Sequence, residues 1–330
     1  MKLVSYKDQN SNALGVLVNE KVYNLHALNP DIPNTMREFL IKGAKAMDAA
    51  TLVDARIKDG SLKAVPKEVE LLAPVPEPTS CRDAYAFRQH VATSRRNRGV
   101  EMIPEFDQFP VFYFTNHHAV FGPGEVDCMP DHFERLDYEL EIAIVIGKRG
   151  KNILAAQADE YIAGFMIMND MSARGMQMEE MKLNLGPAKG KDFSTIIGPY
   201  LVTPDELDQY LSTTKKNHVG MQHNLKMKCW VNGELLSEGN YSDMDWTFAE
   251  IIERCSYGVE LQPGDVIGSG TVGTGCLLEL NGTGKLNDPN YQPQWLKDGD
   301  VVEMEITGLG RLKNTIKAVD TDHSLFKLKK

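Results

Sequence analysis

Residues 136–146 read LDYELEIAIVI, and this short run constrains the fold more tightly than any other part of the chain. Strict alternation puts Asp137, Glu139 and Glu141 on one side of a β-strand and Tyr138, Leu140, Ile142, Ile144 and Ile146 on the other. The carboxylate side continues as Ala143 and Val145, so both faces are expected to be covered, as in the middle of a buried sheet. Glu139 and Glu141 would stand roughly 6.6 Å apart along the strand, close enough to converge on one point. Buried like charges repel, and each is costly unless something positive neutralises it. A divalent cation is the simplest counter-charge; a solvated strand face is the competing reading for either glutamate taken alone.

A hard-cation site needs further oxygen donors. Asp170 closes the apolar run AGFMIM within MNDMSAR, where a loop would open onto a cleft, and Asp83 lies in CRDAYAFRQH. Asp83, Glu139, Glu141 and Asp170 contain no His or Cys, and an all-oxygen set points to Mg²⁺ or Ca²⁺, with Mn²⁺ a further option, rather than to zinc.

The rest of the chain supplies the frame. KLVSY, LGVLV and KVYNL are short β-rich runs between polar turns, which predicts a small antiparallel meander. Asn34 or Thr35 can cap one helix over MREFLIKGAKAMDAATLVDAR, ended by Gly60. LLAPVPEPTS (71–80), with three prolines, reads as a linker and divides the chain into a small β-rich domain, 1–75, and a larger one, 76–330. Beyond it PVFYF, LEIAIVIG, IAGFMIMND, MKCWVNG, DVIGSG, LLELNG, DVVEMEITGLG and NTIKAV read as strands, and helices are expected chiefly at 155–161, 204–211 and 246–255. The class is α+β, dominated by β-structure, and 330 residues with 42% apolar content suffice for a substantial core.

Several partners are not expected. The net charge of −10 is spread along the chain, and the short cluster Arg95, Arg96 and Arg98 lacks interleaved aromatics, which argues against nucleic acid. The N-terminus has no apolar signal core and the longest apolar run, IAIVIG, is too short to cross a bilayer, so a cytoplasmic location away from membranes is expected. Five scattered cysteines without a Cys-x-x-Cys pair read as reduced structural thiols. GSGTVG (268–273) formally matches a dinucleotide-binding fingerprint after DVI. The residues directly behind it, TGCLLELNGTG, read as another strand rather than the required helix, so no nucleotide cofactor is expected.

Taken in order, RDAYAFRQH, LDYELE, MNDMSAR, GPAKGKDF and SGTVGTGCLLEL resemble the successive active-site segments of the fumarylacetoacetate hydrolase family, over about residues 70–320. The first 70 residues resemble the small β-rich domain of many bacterial members. The resemblance implies a mixed β-sandwich or roll, a homodimer, and one divalent ion on the same four positions, Asp83, Glu139, Glu141 and Asp170. It further implies His90 as general base with Glu279 as its partner, Arg174, Gln177 and Lys191 as donors to an oxyanion and leaving group, and Tyr85, Tyr113 and Thr271 as substrate contacts. Met178, Glu179 and Met181 stand where fumarylacetoacetate-cleaving members carry an aromatic cluster, and Thr93 stands where the smaller acylpyruvate-cleaving and oxaloacetate-decarboxylating members place a glutamate.

The expected activity is metal-dependent hydrolysis of a carbon–carbon bond in a small-molecule 1,3-diketo or 2,4-dioxo acid, within aromatic-compound catabolism. Decarboxylation or isomerisation of a 2-oxo acid is the enzymatic alternative, and a Ca²⁺-stabilised structural protein the non-enzymatic one. The last has no need of His90, Glu279 and Lys191. The polar stretch 92–110, directly after His90, is expected to act as a lid.

Overall fold

Three strands open the chain in antiparallel succession: β1 (Lys2–Asp8), β2 (Ser11–Val18) and β3 (Lys21–Asn24). The computed structural model describes residues 1–9 and 11–328. After a single helical turn at Leu25–Leu28 come two longer helices, α1 (Met36–Lys42) and α2 (Ala44–Lys58), where the sequence predicts one. Gly43, at φ +66°, breaks the run, a conformation that costs glycine little. Of the two candidate caps, Thr35 accepts the hydrogen bond from the Glu38 amide. The proline-rich stretch is not a loose tether: Leu72 N donates to Ser5 O at 2.9 Å, the Ser5 hydroxyl donates to Pro74 O at 2.7 Å, and Ala73 and Val75 are buried.

The remaining principal elements are, in order, β4 (Cys81–Ala84), α3 (Arg88–Arg96), β5 (Phe112–Thr115), β6 (Gly124–Cys128), β7 (Leu140–Ile146), β8 (Ile162–Asp170), α4 (Arg174–Glu180) and β9 (Thr195–Val202). Then come β10 (Lys226–Val231), β11 (Glu234–Asn240), α5 (Phe248–Ser256), β12 (Val266–Gly268), α6 (Leu277–Asn287), β13 (Val301–Ile306) and β14 (Gly310–Ala318).

The central sheet runs β3-β2-β1-β9-β8-β7-β12-β4-β5, and a five-stranded sheet runs β11-β10-β13-β14-β6. Strand β1 pairs antiparallel with β9, Leu3 opposite Leu201, so the opening meander continues the main sheet. The alternating strand β7 lies inside that sheet with every residue buried. Its Leu140, Ile142, Ile144 and Ile146 join Phe165 and Ile167 of β8 in a cluster with Met227, Val302, Met304 and Ile306 of the second sheet. Its other face, through Ala143 and Val145, packs with Met166, Met168 and Val266 against Leu3, Phe39 and Leu40 of the N-terminal segment. Both faces are therefore dry, as the alternation implies. The architecture is a mixed α and β fold of several sheets.

Three helices depart from the strand-rich reading: α3, α4 and α6, the last occupying the LLELNG segment expected to be a strand. Residues 204–210 form a 3₁₀ helix. Among the described residues no helix is long and apolar enough to cross a membrane.

Candidate active site

Sheet topology brings four strand termini to one place. Strands β7 and β8 are antiparallel, so the start of one lies beside the end of the other, with Glu141 opposite Met168. Strands β4 and β12 are parallel, with Asp83 beside Gly268, which also pairs across to Ala143. Asp83, Glu139, Glu141 and Asp170 meet at this end of the sheet, all buried, with one carboxylate oxygen of each within 4.8 Å of the others. Gly268 makes the meeting possible: a Cβ there would stand 2.5 Å from Asp83 Oδ1 and 3.0 Å from Glu141 Oε2.

The four acids are not equivalent electrically. Burial, with the Asp83 and Glu139 charges added, pushes the Glu141 carboxyl well above the usual range. Burial, then Asp170, pushes Asp83 up to about 7. Asp170 is also raised by burial, against the pull of Lys191. Glu139 goes the other way: burial raises it, but Lys191, Arg174 and His90 together outweigh that and hold it low. Lys191, buried and kept protonated by Asp170 and Glu139 against its own desolvation, donates to Glu139 and, at 2.6 Å, to Asp170 Oδ2. Among the described residues no basic or amide donor reaches either oxygen of Glu141 or Oδ1 of Asp170. Buried acceptors left open in an all-oxygen cluster of excess negative charge fit a hard divalent cation.

Next to the acids lies a second unit. His90, on the first turn of α3, makes a hydrogen bond from Nδ1 to Oε2 of Glu279 at 2.7 Å, and both side chains are buried. The other Glu279 oxygen accepts from Thr274 N at 3.0 Å, and Asn97 Nδ2 donates to the Glu279 carbonyl at 3.0 Å, tying α3 to α6. A ring nitrogen of His90 comes within 4.8 Å of a Glu139 oxygen. Tyr85 stands edge-on to the imidazole, ring centres 5.8 Å apart. Burial pushes its phenol up to about 12, so it is a neutral hydroxyl.

The glycine loop at 268–273 is flanked by a strand and a helix, so the expectation of a second strand behind it is corrected. Its amides serve the chain's own carboxylates. Gly270 N donates to Asp83 Oδ1 at 3.0 Å, and just beyond, Thr274 N donates to Glu279. Thr271 is buried in this loop.

The structure places Arg174 differently from a substrate-facing donor. Nε donates to Asp137 at 2.8 Å, Nη2 to Glu139 at 2.7 Å and Nη1 to Gln177 Oε1 at 2.9 Å, so each nitrogen is engaged within the protein. Gln177 keeps its amide NH₂ for other use. Tyr113 donates to Asp170 Oδ2 at 2.6 Å, which sets it against the acid cluster. The stretch 92–110 is anchored rather than loose: α3 occupies its start, Trp246 Nε1 donates to Phe106 O at 2.7 Å, and Arg88 pairs with Asp107.

Sequence reasoning missed three contributors. Asp137 accepts from Leu277 N and Leu278 N at 2.7 and 2.9 Å, anchoring the N-terminus of α6 as well as Arg174, a role invisible without knowing that a helix starts there. Glu180 accepts from the amides of Ala188, Lys189 and Gly190, shaping the turn that presents Lys191. Cys276, read as an ordinary structural thiol, lies with His90 and Glu139, the three offering ligand atoms within 4.8 Å of one another.

Comparison with known proteins identifies the family. The family profile described as fumarylacetoacetate (FAA) hydrolase, C-terminal, matches residues 79–317. A mitochondrial oxaloacetate tautomerase of Bos taurus is 35% identical over 298 residues, covering 89% of this chain and 83% of that protein. A fumarylacetoacetate hydrolase domain-containing protein 2 homolog of Dictyostelium discoideum is 29% identical over 323 residues, 96% of this chain and 97% of that one. Among solved structures, the fumarylacetoacetate hydrolase of psychrophilic Exiguobacterium antarcticum is similar, with a TM-score of 0.70 and 25% identity over 97% of this chain and 100% of that chain. The protein belongs to the fumarylacetoacetate hydrolase family of enzymes.

Proposed function

We propose that this enzyme is a divalent-metal-dependent hydrolase that cleaves a carbon–carbon bond in a 1,3-diketo or 2,4-dioxo acid of the fumarylacetoacetate or acylpyruvate type. The observation that carries this reading is the buried His90–Glu279 pair, 2.7 Å apart and beside the four-acid cluster. Asp83, Glu139, Glu141 and Asp170 would hold Mg²⁺, Mn²⁺ or Ca²⁺, which when bound supplies Lewis-acid polarisation of substrate oxygens. Glu279 accepts a hydrogen bond from the Nδ1–H of His90, which fixes the tautomer and leaves Nε2 as the base. His90 Nε2 takes a proton from water as its oxygen adds to the remote carbonyl carbon. The carbon–carbon bond then breaks, its electron pair passing into the neighbouring ketone as an enolate. Lys191 and the open Gln177 amide stabilise that developing charge, and the proton held on His90 returns to the enolate carbon. Arg174 acts through Glu139, as a positioning residue.

His90→Ala should lower kcat by about 10²–10⁴-fold, read as appearance of the two carboxylic-acid products from acylpyruvates or fumarylacetoacetate. EDTA should abolish turnover, and Mg²⁺ or Mn²⁺ should restore it. Unchanged turnover by the variant would reject the assignment of the base.

A second reading keeps the ion and the base but needs no water: tautomerisation or decarboxylation of a 2-oxo acid. The bovine relative's activity as an oxaloacetate tautomerase favours it. Loss of the enol absorbance of oxaloacetate, or release of CO₂, without acid-pair products separates it from the first. A homodimer is part of the proposal, supported by the sheet-edge strand β5, whose Phe114 is 64% exposed. Sedimentation at the monomer mass would remove it. The five buried unpaired thiols fit a reducing compartment, cytoplasm and mitochondrial matrix alike.

A further inference from the structure

His90, Glu139 and Cys276 form a donor group of a different chemical kind from the four acids. All three are buried, and a nitrogen, an oxygen and a sulfur lie within 4.8 Å of one another. Imidazole nitrogen, thiolate sulfur and carboxylate oxygen are each zinc donors, and three protein ligands leave the fourth position open. Ligand atoms around a tetrahedral zinc sit roughly 3.3–3.6 Å apart, so the group needs only a modest inward shift. One feature favours capture: Glu279 already holds His90 Nδ1 at 2.7 Å, the carboxylate–histidine arrangement that orients an imidazole ligand through its other nitrogen. Burial, with Asp137 nearby, holds the Cys276 thiol well above its ordinary range, so the ion has to displace its proton.

We propose that this group is a second, thiophilic metal site, which takes Zn²⁺ or Cd²⁺ and switches the enzyme off. Binding uses Nε2 of His90, one oxygen of Glu139 and Sγ of Cys276, and the thiol proton leaves to solvent. Because Glu139 belongs to both groups and His90 is the base, a soft ion there removes one acid from the hard site and the acceptor for the water proton together. The inhibition rests on the function proposed above; the binding itself does not.

The test uses the full chain loaded with saturating Mg²⁺. Cd²⁺ titration of the wild-type protein should produce a thiolate-to-cadmium charge-transfer band at one ion per chain, displaced by Zn²⁺. Cys276→Ser, which preserves volume, should lack the band. The Zn²⁺ concentration that halves each enzyme's own Mg²⁺-dependent rate should rise by about 10-fold or more in Cys276→Ser. His90→Ala should also weaken Cd²⁺ binding, which distinguishes this thiol from the other four. A wild-type protein without the band, a band retained in Cys276→Ser, or equal Zn²⁺ sensitivity of the two enzymes would overturn the proposal. A protein that shows the band and its loss, yet cleaves no diketo acid, keeps the site and loses only the proposed function.

Discussion

Glu139 and Glu141 stand two residues apart on one strand, yet their carboxyls move in opposite directions, because Lys191 and Arg174 reach only the first. This contrast fixes the sign of the pH dependence. Asp83 is raised to about 7 and Glu141 well above its ordinary value, so above the ordinary carboxylate range near pH 4 the folded chain keeps protons that the unfolded chain has lost. The contribution of these acids to stability therefore falls as pH rises from about 4 through 7 in the ion-free protein, while His132, which burial lowers to about 4, contributes in the opposite direction, and added Mg²⁺ should reverse the acids' loss at the upper end. Denaturant midpoints of the wild type and Asp83→Asn across that interval, with EDTA and with Mg²⁺, check this; a wild-type midpoint that falls no more with pH than the variant's in EDTA would contradict it. Arg174 yields a second residue-scale expectation. Removing it leaves Asp137 and Glu139 buried without their shared partner, so Arg174→Ala should cost about 3–5 kcal/mol in unfolding free energy. A donor that served substrate alone would change kcat and leave the denaturation midpoint in place.

Among the elements, β12 sets the room available to the acids. Gly268→Ala would place a methyl 2.5 Å from Asp83 Oδ1 and 2.7 Å from Met168 Sδ, so divalent affinity should drop by about 10-fold or more in a calorimetric Mg²⁺ titration. Strands β7 and β8 were legible in the sequence because burial on both faces leaves unbroken apolar runs, and an acid at a strand end is conspicuous. Glu139, Glu141 and Asp170 came from that pattern, and Asp83 was added from CRDAYAFRQH as a further oxygen donor. Helices α3, α4 and α6 were not legible, although they carry His90, Arg174 and Glu279. Gly175 interrupts α4, and Gly282 and Gly284 interrupt α6, and glycine ordinarily argues against a helix. Here close packing overrides propensity: a Cβ on Gly282 would stand 2.5 Å from Asn97 Nδ2, the group that ties α3 to α6. The His90–Glu279 pair spans 189 residues, a separation no local pattern encodes, and only the family resemblance joined the two.

At the scale of the whole molecule, residues from Asp83 to Asp170 enclose the proposed cation site, so a bound ion should stabilise the folded chain as one unit. At a free ion concentration about 100 times its Kd the gain is about 2.7 kcal/mol, visible as a rise in Tm that EDTA cancels. A Tm indifferent to Mg²⁺ would speak against a resident ion. The pairing of β1 with β9 carries a further consequence, since β9 is the immediate neighbour of β8 and hence of Asp170. Excising residues 1–75 would bare the end of β9 at Leu201 and Val202, together with the apolar surface that Leu3 and Phe39 cover. Such a truncate should self-associate instead of working as a portable enzyme core, leaving the opening meander as indispensable to the chemistry as the residues that touch the reactant.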